Sequence, residues 1–370
     1  MPYKMLHVCH NFACSGYNSN YLNDISERFK NNREVMPDTP SQSLVDKFSA
    51  IEIWMKETEE AVSSQDSYKE DALSPDGINL ILNYFMEVLE VERLDKRPLL
   101  VMVKSVTLFL QVTKNLDLQK DNLVTLLDAL LIAVLRAHVS ERVTKICVNE
   151  VTFLLENCLG DPNSRDYIIG GFTQRILHLV KDVNIAFWIR CSILKSFNKR
   201  LSESPMELRT DVFKEYSQEF EGLVDCLYTS GDFDMQTTIV ETLLRFTTKS
   251  IRTELSNNWF PNYVKLQALF LGIKDFEADC RKFLNHFNEG LNEKAMVFSF
   301  KLLSCVVEGK TLVKPADISD FWIDFNLGSN SLSVYYAFND NQVFRLCMWF
   351  YFTFILNILS GFELEHVKAQ

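Results

Sequence analysis

The stretch GDFDMQTTIVETLLRFTTKSIRTELSNNWF, Gly231 to Phe260, decides how the rest of the chain reads. Asp232 or Asp234 can cap a helix, because a short carboxylate accepts from backbone N–H groups that the first turn leaves free. Met235, Ile239, Val240, Leu243 and Phe246 then recur at spacings that put them on one helical face. Thr247, Thr248 and Lys249 close that helix, and Ser250 offers a second cap. Pro261 fits the first turn of a third helix, where its missing N–H leaves no bond unmade. The stretch predicts consecutive amphipathic helices.

Upstream the same signals repeat. Helix starts are read near Asp76, Pro98, Asp121, Ser140, Ser164, Asn184, Ser204 and Asp232. They lie about 19 to 28 residues apart, so helix pairs recur at about 40 to 48, the period of HEAT or armadillo units. Each helix carries an apolar stripe: Ile78, Ile81, Leu82, Phe85 and Leu89 in one, Leu123, Leu126, Leu127, Leu130 and Val134 in another. Such helices bury their stripes by stacking on neighbouring pairs. A compact bundle would use the same stripes without needing a period, so the near-constant spacing favours an α-solenoid. No alternation of strands with Gly-rich turns precedes residue 320, which argues against an enzyme core on a parallel sheet.

Composition agrees with an ordered helical chain. Of 370 residues 47% are apolar, with only 12 Gly and 9 Pro. The net charge of −11 disfavours direct binding to DNA or to anionic membranes and favours protein partners. The nine cysteines include no C-x-x-C pair, and Met1 to Ser15 has no continuous apolar core, which implies free thiols in a reducing compartment. Residues 1–40 read as a poorly ordered N-terminal segment. Its His7, Cys9, His10 and Cys14 are zinc-ligand types but lack the paired spacing of a structural site.

The helical region is expected to run over residues 41–315, interrupted by a polar loop at 59–75 and including KAMVFSFKLLSCVV near its end. Over 316–342 the character changes. FWIDFNLG alternates apolar and polar residues, Gly328-Ser329-Asn330 can turn, and LSVYYAF can return as a second strand. Residues 343–370 read as an apolar C-terminal helix or tail. Leu346 to Leu359 is about 14 residues long, short of the roughly 17 to 25 that a membrane span needs.

Three segments together resemble the N-terminal region of the synaptonemal complex protein 2 family. They are the order G-D-F-D-x-Q, I-V-E, T-T, R-x-E-L, W-F within 231–260; LVKDVNIAFWIRCSILKSFNKRLSESPMELR from Leu179 to Arg209; and DCRKFLN at 279–285 with FWIDFNLGS at 321–329. The resemblance covers about Leu179 to Phe338, and the start of the chain departs from the family's helical opening. It implies an armadillo-like α-solenoid followed by a pleckstrin-homology-like β domain, similar to the middle domain of the FACT histone chaperone's large subunit. After Gln342 the sequence leaves the family pattern, so that β domain is expected to be truncated here. The family further implies a non-enzymatic scaffold of the lateral element on meiotic chromosomes in the nucleus. It would dock axis or centromere proteins and form homo- or hetero-oligomers with family members. A histone-binding module and a cytoplasmic or membrane-tethered solenoid adaptor are the alternatives.

Chemistry-bearing motifs are few, and no cofactor or metal is expected. Gly309-Lys310-Thr311 resembles the end of a phosphate loop, but Ser304 stands where the first glycine is required. His138, His178, His286 and His366 are dispersed, and Asp324 reads as a solvated carboxylate on the polar face of a strand. The candidate protein-binding residues are Trp188, Arg190, Lys195 and Lys199. Trp188 is either core or an exposed groove anchor. The cations, with Arg200, are either a solvated face or a seat for an acidic partner segment or chromatin.

Overall fold

The computed structural model describes residues 49–53, 55–56, 99–105, 120–137, 139–307, 310–314, 320–339 and 342–349. The segment 1–40 with its His and Cys cluster, the loop at 59–75 and the tail beyond 349 lie outside the described residues. Residues 49–53 and 99–105 are helical. The continuous part opens with α1 (Lys120–Arg136), α2 (Glu141–Gly160), α3 (Pro162–Lys181) and α4 (Phe187–Asn198). It continues through α5 (Met206–Glu215), α6 (Ser217–Thr229), α7 (Phe233–Phe246), α8 (Lys249–Trp259), α9 (Val264–Leu271) and α10 (Phe276–Gly290).

Several starts fall where capping chemistry puts them. Ser140 precedes α2, Asp161 accepts from the Ser164 N–H at the head of α3, and Asp232 caps α7. Other points differ from the sequence reading. The second cap in the opening stretch is Thr248, which accepts from the Ile251 N–H, and Pro261 lies in the turn before α9. A break at Tyr216 divides α5 from α6, where the even spacing from Ser204 to Asp232 suggested one helix.

Alternate helices pack side by side. In one row α2 meets α4, α4 meets α7, and α7 meets α10; in the other α1 meets α3, which meets α5 and α6. The apolar stripes between the rows merge into one core, from Ile51 to Val297. A relay of rings runs through its C-terminal half: Phe197–Phe246, Phe246–Phe220, Phe220–Phe213, Phe213–Trp259, Trp259–Phe270 and Phe270–Phe283, with centroids 4.8 to 6.3 Å apart. Fully burying each such side chain is worth about 1.5–3 kcal/mol, so these rings contribute much of what holds neighbouring pairs together. No helix among the described residues is long and apolar enough to cross a membrane.

Helix ends sooner than residue 315. After Gly290 the chain enters β1 (Val297–Leu302), β2 (Cys305–Val307) and β3 (Lys310–Leu312), then β4 (Phe321–Asn326), β5 (Ser331–Asn339) and β6 (Gln342–Trp349). The KAMVFSFKLLSCVV stretch, read as helix, thus supplies two strands, and residues 343–349, read as the start of a helix or tail, continue strand β6. Both corrections have one cause: a short apolar run fits either period, and only a partner strand settles which one it adopts. The strands form an antiparallel sheet in the order β1-β4-β5-β6, with β2 and β3 as a separate hairpin. Asp324 stands opposite Ser299 on one side and Ser333 on the other, and Ser331 lies opposite both Asn326 and Trp349. Lys310 and Thr311 lie in a strand of the hairpin, not in a loop that precedes a helix.

The central strands are buried on both faces. Phe321, Ile323, Phe325, Leu332 and Val334 form a small second core, against which Leu302, Cys305 and Leu312 pack. Asp324, Asn326, Ser331 and Ser333 alternate with them, and they too are buried. That polar face meets the helices.

Candidate functional site

The meeting place is built from α7 outward. Asp232 Oδ1 accepts from the N–H groups of Asp234 at 2.9 Å and Met235 at 3.1 Å, satisfying two of the orphan donors of the first turn. Its second oxygen accepts from the Ser329 hydroxyl at 2.6 Å. Phe233 N–H, a third orphan, donates to Asn326 Oδ1 at 2.9 Å, and Asn326 Nδ2 reaches Ser331 and Ser333 at 3.3 and 3.1 Å. The start of the helix is thus completed by side chains of β4, β5 and the turn between them.

Two glycines let the backbones touch. Gly328 N–H donates to the Gly231 carbonyl at 2.9 Å. Gly231 has φ +58°, the left-handed region that favours glycine, and a Cβ there would fall 2.7 Å from Gly328 N. A Cβ on Gly328 would fall 2.1 Å from the Ser230 carbonyl oxygen.

A buried ion pair closes the joint. Arg281 of α10 donates to both oxygens of Asp324, at 2.5 and 3.1 Å, and Ser299 donates to Oδ1 at 2.6 Å. The guanidinium lies 3.5 Å from the centroid of the Phe233 ring and 5.5 Å from that of Trp322. Asp324 is 0% exposed, which corrects its reading as a solvated carboxylate. A lone buried charge would be costly; the two-pronged partner on α10 makes it tolerable and fixes orientation across the joint. Arg281 was not singled out from the sequence. The DCRKFLN segment containing it was recognisable, but nothing in its spacing tells which cation meets Asp324.

Beside the joint lies a groove of about 480 Å³ between α2, α4 and α7, lined by Glu156, Lys195, Lys199, Asp234, Glu241 and Arg245 with Ser196, Thr237 and Thr238. Lys195 Nζ donates to Asp234 Oδ2 at 2.6 Å, Lys199 pairs with Glu156, and Arg245 reaches Glu241 at 2.6 Å. Asp234 Oδ1 also accepts from the Tyr335 hydroxyl of β5, so one carboxylate belongs to both groove and joint. Below, Asn198 donates to the Thr238 carbonyl at 2.9 Å and accepts from Thr242, tying α4 to α7.

The structure brings two of the four sequence-predicted residues, Lys195 and Lys199, into this groove. Trp188 lies two turns earlier on the same face of α4, half-buried, with Lys145 Nζ 5.8 Å from its ring centroid. Arg190 turns away: it donates to the carbonyls of Ile185 and Val180, both at 3.0 Å. Burial lowers its pKa from the ordinary arginine range. Arg200 pairs with Glu203 at 2.6 Å. Among the described residues no group of three or more His, Cys, Asp or Glu is placed to hold a metal ion.

A helical array joined at the first turn of α7 to a small antiparallel sheet defines the class: a mostly helical protein with a C-terminal β unit built onto it. A family profile described as "Synaptonemal complex 2 Spt16M-like domain" matches residues 297–352, the β unit. The chain is 38% identical to human "Synaptonemal complex protein 2" over 180 residues, 47% of this chain and 12% of that protein. It is 33% identical to mouse "Synaptonemal complex protein 2-like" over 214 residues, 52% of this chain and 25% of the relative. A solved "Synaptonemal complex protein" shares the fold, with a TM-score of 0.56 over 84% of each chain at 24% identity. Across about half its length the chain is similar to members of the synaptonemal complex protein 2 family. It spans only about an eighth to a quarter of the length of these curated relatives.

Proposed function

We propose that this chain is a non-enzymatic scaffold module of the meiotic chromosome axis, in the lateral element of the synaptonemal complex, acting in the nucleus on meiotic chromosomes. One observation carries the reading: segments that bear the family likeness, GDFD at 231–234, DCRKFLN at 279–285 and FWIDFNLGS at 321–329, are the two sides of a single buried joint. A scaffold needs a fixed geometry between its parts, and this joint supplies it. The two-row packing of α1 to α7 with α10 supports the finer reading of an armadillo-like α-solenoid, whose exposed faces dock axis or centromere proteins. Lys195, Lys199 and Trp188 mark one such face, and assembly with further copies or family members fits the same role. The net charge of −11 favours protein partners over DNA.

The test is immunofluorescence of the tagged chain on spread meiotic chromosomes beside an axis marker. Signal along axes or at centromeres is expected; a diffuse or membrane signal refutes the reading. The Spt16M-like match over 297–352 favours a second reading, a histone-binding module. A pulldown with core histones that resists moderate salt would support it, and retention that vanishes at physiological salt would remove it.

A further inference from the structure

We propose that the open edge of β1 receives an extended segment of a partner protein as a further strand, one whose apolar side chains recur at every second residue. The surface is a property of the sheet and holds whether or not the chain works on the chromosome axis.

The sheet order puts β1 at one end, and among the described residues it pairs only with β4. Along its other side, N–H and C=O groups of alternate residues point away from the sheet, over about 20 Å for a strand of this length. Two rows of side chains run across the sheet into that edge. Val334, Ile323 and Phe300 are register partners in one, and Leu332, Phe325 and Phe298 in the other. Exposure jumps at the last member of each: 1%, 7% and 43% in the first row, 3%, 8% and 41% in the second. The Phe300 ring meets Phe325 edge-on, with centroids 5.8 Å apart, but its outward side is left wet. Both rows stop one strand short. A segment with apolar side chains two residues apart would continue them while its main chain pairs with β1.

The edge is also firm and poorly guarded. Val297 lies in the main core and Ser299 donates to Asp324, so the strand is fixed before a partner arrives. Sheets commonly protect an edge with charge or proline. VFSFKL has no proline and one charge, Lys301, which Asp320 engages at 2.9 Å. Leu303, just past the strand, is fully exposed. Size and charge select a short partner segment over a second copy of the chain. A stable interface between two proteins uses about 20–30 residues a side and clears about 1,000 Å², far more than one six-residue edge offers. Two copies would each bring a net charge of −11 to the contact.

The experiment is fluorescence anisotropy with the whole chain and a labelled peptide of alternating Val and Thr, with Lys at each end. Saturable binding is expected, and replacing every Val by Ser should abolish it. Two further peptides carry N-methyl groups on alternate amides, one on the odd set and one on the even set. Only one edge of the peptide faces β1, so one methylated form should fail and the other should bind as the parent does. Hydrogen exchange should slow at residues 297–302 when the parent peptide is present. Phe298→Thr with Phe300→Thr, which keeps strand preference, should weaken binding about fivefold or more. Any of four results overturns the proposal: no binding of the parent peptide, equal binding of both methylated forms, unchanged exchange at 297–302, or a double variant that binds as the wild type does. A dimer that protects β1 without peptide, seen by sedimentation and exchange, also overturns it and makes a second copy the occupant.

Discussion

Gly328→Ala is the most economical test of the joint. The added methyl would sit 2.1 Å from the Ser230 carbonyl oxygen and 2.9 Å from Gly231 Cα, and both neighbours are backbone. No rotamer change relieves that contact; the β4–β5 turn must retreat from the start of α7 by about an ångström to reach an ordinary carbon–oxygen separation. Overpacking of this kind costs about 1–3 kcal/mol. The retreat also stretches Gly328 N–H to Gly231 O, 2.9 Å, and Ser329 Oγ to Asp232 Oδ2, 2.6 Å. Each buried polar group left unsatisfied adds about 1–3 kcal/mol, so a total near 4 kcal/mol is a reasonable expectation. For a domain of this size that lowers Tm by about 8–16 °C. Differential scanning fluorimetry measures it, and limited proteolysis should show new cleavage between Gly290 and Phe321. Gly170→Ala is the control: its Cβ meets nothing within 4 Å, and it lies inside α3. That substitution should be neutral or stabilising by about 0.5–1 kcal/mol. If Gly328→Ala melts within a degree of the wild type and is cut no faster, the close approach of the two backbones does not constrain the fold and the reasoning fails.

Two further outcomes follow from burial. Asp324→Asn strips the charge that faces Arg281 and should cost about 3–5 kcal/mol by urea denaturation, whereas Asp324→Leu combined with Arg281→Met should recover much of the loss; equal losses in both would show that the pair is not the source. The Cys147 thiol is pushed up to about 11, and those of Cys158 and Cys280 to about 12, in each case chiefly by burial. At pH 8 these three should stay unreactive toward an aromatic disulfide reagent until the chain unfolds, and prompt labelling by mass spectrometry would contradict their packing. The same shifts make stability fall as pH rises past the ordinary thiol value of 9.0, because the unfolded chain then releases protons that the folded chain retains.

By itself the sequence determined helices such as α7, and it did so through local physics. Asp232 before Met235, Ile239, Val240, Leu243 and Phe246 is a cap followed by one apolar face, and all five apolar residues are buried. The turn at Gly328 to Asn330 between two alternating runs was equally legible, since that alternation needs no knowledge of distant residues. Periodicity says which residues share a face; it does not say what that face meets. Asp324 reads as a solvated carboxylate on the polar face of a strand, and only the tertiary structure sets it against Arg281 and brings Asn326 to the first turn of α7. VFSFKL reads as helix and the run after Gln342 as a helix or tail, yet both become strands because β4 and β5 offer their edges. The groove follows the same logic: Lys195 and Lys199 were visible as neighbours on one helix, while Glu156 and Asp234, about forty residues away on either side, were brought beneath them only by the stacking of α2, α4 and α7. Local chemistry fixed helices such as α7 and the central hairpin; the long-range pairing of charges, caps and strand edges decided the outer strands, the joint and the groove.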